Sequence, residues 1–336
     1  MREPCKKEPT PAQFVEINDM YAGQRIDNYL LSHLKGVPRS LVYRIVRSGE
    51  VRVNKGRIKP GYRLQAGDSI RIPPLRLSEE GAPSRPGGQF LELIQSSVLY
   101  EDDELLILNK PAGIAVHGGS GVSHGVIEAL RALRHAGTHQ CRGRQDAGSD
   151  RPEAPFLELV HRLDRDTSGC LMIAKQRATL LNLHQLLREG GVNKHYLALV
   201  KGQWRGKGRI IDAALRKNLL ESGERRVKVS EEGKEAQSLF EPVTLYKDCS
   251  LMQIQLMQGR THQIRVHAAH AGHPVAGDTK YGDPDFNRHM KSFGLKRMFL
   301  HARSVACQLS SGRKIHVTAP LGEDFQVLLK RLQTGE

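Results

Sequence analysis

Apolar residues recur at helical spacing at Ile26, Tyr29, Leu30, His33 and Leu34, and again after Gly36-Val37-Pro38 at Leu41, Val42, Ile45 and Val46. This pattern predicts two short amphipathic helices joined by a tight turn. The period then shortens: Ser48-Gly49-Glu50 closes the second helix, Val51-Arg52-Val53 alternates, and Leu64 to Ile72 reads as a turn feeding a strand. Periodicity disappears over 76–89, where Gly, Pro and Ser predominate, so a linker is predicted there. Beyond it, Val98 to His117 predicts strand, acidic turn, strand, Pro-Gly turn and strand, with Asp102 and Asp103 as solvated turn residues. A helix follows over Gly125–Arg134 with Val126, Ile127, Leu130 and Leu133 inward, and then an exposed, flexible excursion over 135–155. Two apolar segments, Leu157–Val160 and Cys170–Ala174, enclose a polar nonapeptide. Further strands are predicted at Tyr196–Val200 and Leu251–Leu256, a helix near Thr261–Ala271, a buried segment at Met298–Ala302 and an amphipathic helix at Phe325–Leu332.

These elements describe an α+β chain. At 336 residues it exceeds the usual size of a single core, so the expected organisation is a tail at 1–22, a small α/β domain at 23–75, the linker at 76–89 and a large domain at 90–332. Charge sharpens that division. Lys and Arg number 51 against 36 Asp and Glu, a net +15, and residues 1–77 alone carry 15 against 7. A one-sign surplus on so small a unit points to a phosphate backbone, with Arg39, Arg44, Arg47, Lys55 and Arg57 as candidate RNA contacts. Aromatic residues make up only 5% of the chain, which argues against single-strand binding mainly by stacking. The five cysteines form no CxxC pair, and His262, His267 and His270 lack acidic or cysteine partners at suitable spacing, so neither a disulfide framework nor a metal site is expected. The charged start and the absence of any run near the about 18 apolar residues of a membrane span indicate a soluble cytoplasmic protein without a membrane partner.

The densest chemistry lies in the nonapeptide His161-Arg162-Leu163-Asp164-Arg165-Asp166-Thr167-Ser168-Gly169. Asp164 and Asp166 stand two apart, on opposite sides of an extended chain, so they should have different tasks. Thr167-Ser168-Gly169, with Asp166, is expected to tie the loop down through local hydroxyl-to-backbone bonds, which leaves Asp164 as the freer carboxylate. Lys110 and His117 bracket the Pro-Gly turn, where a phosphate-facing and a structural reading both fit.

Two resemblances follow from these stretches. Gly23-Gln24-Arg25-Ile26-Asp27, Pro38-Arg39-Ser40 and Gly49-Glu50-Val51-Arg52-Val53-Asn54-Lys55 resemble the S4 RNA-binding module, which implies contact with structured RNA. Tyr100-Glu101-Asp102, Lys110-Pro111-Ala112-Gly113 with His117, the nonapeptide, Lys194-His195-Tyr196, Gly259-Arg260-Thr261-His262-Gln263-Ile264-Arg265-Val266-His267, Gly272-His273-Pro274 and Gly277-Asp278 resemble, in order and spacing, the RluA-type RNA pseudouridine synthases. The nearest members act on large-subunit (23S) ribosomal RNA. The resemblance implies a catalytic domain with a mixed, mainly antiparallel sheet flanked by helices, working as a monomer without cofactor on 23S ribosomal RNA or a large-subunit assembly intermediate. It places the catalytic aspartate at Asp164, its arginine partner at Arg265, an active-site tyrosine at Tyr196, stacked on the flipped base and assisting removal of the C5 proton, and a base-flipping arginine at Arg162.

The reaction fits those residues. The C1′–N1 bond of uridine breaks, the uracil turns in place and C1′ joins C5, which calls for one ionised carboxylate and tight confinement of the base. Attack at C6, attack at C1′ and proton abstraction from C2′ to give a glycal all suit a single carboxylate. An RNA-binding or ribosome-assembly protein with an idle site is the alternative; a magnesium-dependent nuclease or phosphotransferase with Asp164 and Asp166 as ligands fits less well.

Overall fold

A computed structural model describes residues 12–34, 37, 39–75, 86–118, 124–140, 156–219 and 225–334. Most of the expected linker and residues 141–155 of the expected excursion lie outside them. The chain divides into two units, Met1–Arg85 and Pro86–Glu336.

In the first unit, strands β1 (Gln13–Glu16), β2 (Arg52–Val53), β3 (Gly56–Arg57) and β4 (Ser69–Ile72) form a sheet in the order β1-β4-β2-β3 beside helices α1 (Ile26–His33) and α2 (Arg39–Arg47). The apolar positions that predicted the helices are its core: Ile26, Leu30, Val42, Ile45 and Val46 pack on Val51, Ile70 and Ile72. Asn54 and Lys55 both take the left-handed conformation, as a two-residue hairpin turn requires, and Asn54 Nδ2 donates to Asp68 Oδ1 at 2.8 Å. Strand β1 falls within the expected tail, 1–22; its Val15 pairs with Ile70, so the sheet begins before Gly23.

The second unit contains α3 (Gly88–Ser96), β5 (Val98–Glu101), β6 (Leu105–Lys110), α4 (Val126–Gln140), β7 (Glu158–Leu159), β8 (Ser168–Ala174), α5 (Arg177–Glu189), β9 (Val192–Lys201), β10 (Arg209–Asp212), β11 (Leu215–Leu219), β12 (Arg225–Val229), β13 (Gln237–Leu245), β14 (Cys249–Leu256), α6 (Gln263–His270), α7 (Pro284–Ser292), β15 (Leu300–Gln308), β16 (Lys314–Thr318) and α8 (Glu323–Thr334). Strands β11 and β12 form a separate ribbon, and ten others form one sheet, β10-β13-β14-β9-β15-β8-β6-β5, with β16 on β15 and β7 on β8. The only parallel pairing among these strands is β15 with β8. Alternation along the strands buries both faces. Leu106, Leu108, Leu171, Ile173, Tyr196, Ala198 and Val200 face α3, α4 and α6, whereas Leu105, Ile107, Met172 and Leu199 belong to the clusters under α5, α7 and α8.

Three local expectations change. The segment 114–117 is not a strand; the Ala115 and Val116 carbonyls accept from the Val126 and Ile127 N–H groups and satisfy the open start of α4. Helix α4 continues past Arg134 through Gln140, into the expected excursion. Asp102 is not a solvated turn residue: it accepts from the Glu104 and Leu105 N–H groups, Tyr100 Oη and Arg313, and although burial opposes its charge these bonds hold its pKa at about 2.

One lateral row of residues organises the site. Ile254 of β14 pairs with Tyr196 of β9, Tyr196 with Ala302 of β15, Ala302 with Gly169 of β8, and Gly169 with Lys110 of β6. Within it Gly169 has φ +109°, and a Cβ there would stand 2.2 Å from the Ala302 carbonyl oxygen. A Gly169→Ala protein is therefore expected to lose about 3 kcal/mol or more of stability. Urea unfolding followed through Trp204, the single tryptophan, measures this; an unchanged midpoint would contradict the close approach.

Candidate active site

Asp164 sits in the loop between β7 and β8, its side chain 25% exposed. Leu163 beside it is buried in the cluster that contains Tyr196 and Ile264, which anchors the loop to the sheet and to α6. Arg162, Arg165 and Asp166 are exposed, and Arg165 Nε lies 3.6 Å from Asp166 Oδ1. The loop is tied down at both ends. His161 Nε2 accepts from the Met172 N–H at 3.2 Å, and Lys110 Nζ donates to the carbonyls of Pro111, Ile114 and Arg165 at 2.7, 2.8 and 3.0 Å. Lys110 is fully buried, so it clasps the turn to the loop and does not face a phosphate. Burial lowers its pKa to about 7, against the pull of Asp166 and Asp164, while three carbonyls receive the three ammonium protons. His117, by contrast, is exposed.

The loop's exit is fixed by a distant partner, not by local hydroxyl bonds. His301 Nε2 donates to the Ala319 carbonyl at 3.2 Å, so Nδ1 accepts from Ser168 Oγ at 2.9 Å. The ring stays neutral. Burial, together with the neighbouring Arg303 and Arg297, outweighs the Ala319 bond and lowers its pKa to about 4.

Opposite the loop, α6 presents Arg265. Its Nη1 donates to Asp164 Oδ2 at 3.1 Å, and its Nε and Nη2 form a fork with Asp278 at 2.7 and 2.8 Å. Asp278 is fully buried and also accepts the Lys280 and Tyr281 N–H groups on Oδ1. Burial disfavours both charges, but their mutual bonds prevail: Arg265 is raised and Asp278 lowered from their ordinary pKa values. The guanidinium carbon lies 5.1 Å from the Tyr281 ring centroid.

His262 precedes α6 in the left-handed conformation, φ +55°, an uncommon state for a side-chain-bearing residue. Its Nδ1 is 2.8 Å from Tyr281 Oη, which accepts the Val227 N–H of β12, and its Nε2 is 3.9 Å from Asp164. Gln263 fixes the start of the helix: Oε1 accepts from the Arg260 N–H, and Nε2 donates to Gln237 O and Ser238 Oγ. His267 spends both ring nitrogens within the fold, donating from Nε2 to Ala213 O and accepting at Nδ1 from Ser238 Oγ.

Tyr196 is 7% exposed. Burial first, then the charge of Asp164, pushes its phenol up, so the site presents a neutral ring. Lys194, two residues before it on the strand, is also buried and lowered by that burial. Thus Asp164 and Arg265, 101 positions apart, are in direct contact, with Tyr196 on the same sheet face.

In the first unit Arg44, Arg47, Lys55 and Arg57 are exposed, and Arg39 opens α2. Asp278, His262 and Tyr281 had no place in the sequence-based site. Asp278 lies in Gly-Asp-Thr-Lys-Tyr, which reads as an ordinary turn; the available signal was its place in the Gly277-Asp278 motif, to which no role had been attached.

The RNA pseudouridylate synthase family profile matches residues 104–270 and the S4 domain profile residues 24–70. The "Ribosomal large subunit pseudouridine synthase C" of Haemophilus influenzae is 52% identical over 96% of this chain and 96% of its own length. The chain belongs to the RNA pseudouridylate synthase family. The protein of the same description from Escherichia coli is 49% identical over 98% of this chain and 99% of its own. Among solved structures, human RNA Pseudouridylate Synthase Domain Containing 4 shares the fold, with TM-score 0.57 and 22% identity over 73% of this chain and 96% of that one.

The two histidines that hold the loop, His161 within it and His301 on β15, generate a pH dependence. His161 is lowered to about 4, by burial and then by Lys194, and His301 to about 4 by burial, both from 6.5. Between those values the unfolded chain binds more protons than the folded one, so stability falls as pH falls through 6.5 towards 4. The thermal midpoint is expected to drop steeply from pH 7 to pH 5, and His301→Gln should flatten part of that slope. A midpoint constant over this range would contradict neutral, buried histidines.

Proposed function

We propose that this chain isomerises uridine to pseudouridine in large-subunit (23S) ribosomal RNA, with Asp164 as the reacting carboxylate. The carrying observation is the contact of Asp164 with Arg265, whose position Asp278 locks, on the face that holds Tyr196. The guanidinium keeps Asp164 charged and aimed, and positioning of this kind is what an in-place rearrangement most needs. Tyr196 forms a neutral wall against which the flipped uracil stacks. The exposed Arg162, two residues before Asp164, fills the gap left in the RNA. No redox change or phosphate transfer occurs, and no cofactor enters the reaction as written.

The relatives described as large-subunit synthases support the choice of RNA, and Arg39, Arg44, Arg47, Lys55 and Arg57 of the S4 unit add affinity through its backbone. One copy of the chain carries Asp164, Tyr196, Arg265 and Asp278, which supports action as a monomer. Among the described residues no helix is long and apolar enough to cross a membrane; the cytoplasm is the proposed compartment, on naked ribosomal RNA or an assembly intermediate.

Release of tritium from unmodified large-subunit ribosomal RNA labelled at uracil C5 tests this reading. Asp164→Asn is expected to lower release by about 10³-fold or more, roughly 4 kcal/mol of barrier, while RNA affinity stays within about threefold. No release by the parent protein would sink the activity. Full release by Asp164→Asn would remove the aspartate from the chemistry and favour a binding role for the loop.

A further inference from the structure

The segment Gly202-Gln203-Trp204-Arg205-Gly206-Lys207-Gly208-Arg209, which joins β9 to β10, has no part in the site above. It encloses a cavity of about 220 Å³ lined by Gln203, Trp204, Arg205, Arg209 and His273, and none of these described lining residues is acidic. This space is smaller than the roughly 300 to 1,000 Å³ of typical small-molecule sites, and suits a phosphate group better than a metabolite.

The walls are built into the fold. Trp204 is buried, stacks on Phe240 with centroids 5.4 Å apart and an interplanar angle of 6°, and meets the His273 ring at 4.8 Å. Its backbone N–H donates to Ser250 Oγ, which donates to the Gly202 carbonyl, both at 2.8 Å. His273 Nδ1 donates to Lys201 O at 2.7 Å, which fixes the ring. The Arg209 guanidinium lies 5.0 Å from the indole centroid, held over the ring by cation–π attraction. Arg205 and Lys207 are exposed beside it. The indole N–H has no acceptor among the described residues and is not among the buried unpaired atoms, so it stays open to solvent as a neutral donor beside the cationic ones.

Its placement matters as much as its chemistry. Trp204 and Phe240 belong to the cluster of Tyr196, Leu163 and Ile264, so the cavity lies on the sheet face that carries Asp164. Tyr196 and Lys201, the last residue of β9, are five residues apart on one extended strand, roughly 17 Å, and Gly202 follows directly. Helix α6 gives the same relation: Arg265 stands near its start, and His273 follows three residues after its end.

We propose that this cavity is a second RNA-contact site, which takes a backbone phosphate of the substrate at a distance of several nucleotides from the uridine that reacts. The inference rests on the proposed RNA substrate, and binding and chemistry are read separately in its test. Arg205→Ala with Arg209→Ala, and Trp204→Phe alone, are compared with the parent full-length chain by filter binding to unmodified large-subunit ribosomal RNA across a salt series. Loss of one or two phosphate contacts is expected to weaken binding by about 5- to 20-fold near 0.15 M salt and make the log K against log salt slope shallower by about 1. The loss should appear as a higher half-saturating RNA concentration in tritium release, not as a lower rate at saturation. Trp204→Phe, which keeps a ring and removes the N–H, should lose a smaller part of the affinity, and Arg209→Lys should restore most of the salt slope. Parent-like affinity and slope in the exposed Arg205→Ala protein and in the double variant would overturn the proposal. So would intact binding to naked RNA with weakened binding to an assembly intermediate, which would assign the cavity to a protein carboxylate. Absence of tritium release by the parent would instead count against the isomerase reading, with the binding series still reporting on the cavity.

Discussion

A guanidinium cannot be buried alone, and the candidate site depends on how the fold meets that requirement for Arg265. Asp278 supplies a fully buried carboxylate to two of its nitrogens, which leaves Nη1 directed at Asp164. Asp278 is in turn fixed by backbone N–H groups of its own turn. Removing one partner of such a pair strands a charge and costs about 3–5 kcal/mol, so Arg265 has little freedom to turn away. A carboxylate on a polar loop thereby acquires a defined orientation from a helix 101 positions away.

The sheet supplies the other half of the geometry. Because Tyr196, Ala302, Gly169 and Lys110 stand in one row across four adjacent strands, the ring, the close-approach glycine and the lysine clasp are in register with one another. The parallel step between β15 and β8 lies at the point where the loop leaves the sheet. Backbone geometry there leaves no room for a side chain at Gly169, and His301 reaches across to hold Ser168. The loop is thus positioned by two buried polar groups, Lys110 and His301, and by the apolar anchor Leu163.

Much of the fold was legible wherever one face of an element is apolar. Helices α1 and α2, strands β9 and β14, and α6 and α8 all lie where periodicity places them. Strands β10 to β12 went unread because they carry many charges and border the main sheet or stand apart from it. Helix α4 ran past its expected end because its last turns are polar, and the apparent strand at 114–117 proved to be backbone that caps this helix. For the site, composition isolated the nonapeptide, but only the ordered motifs linked Asp164 to Tyr196 and Arg265. Asp278 stayed hidden because its role is set by a contact with α6, which a turn sequence cannot express, and the same is true of the bond from Ser168 to His301.

The central claim is that Asp278 acts on the reaction through Arg265, without touching the RNA. Single-turnover isomerisation of saturating large-subunit ribosomal RNA by Asp278→Asn, corrected for the folded fraction, tests it most directly alongside the RNA dissociation constant. A rate lower by about 10²-fold, with RNA affinity within about threefold of the parent, is the expected result. A rate within about twofold of the parent in folded protein would show that Arg265 needs no such anchor and would contradict the account.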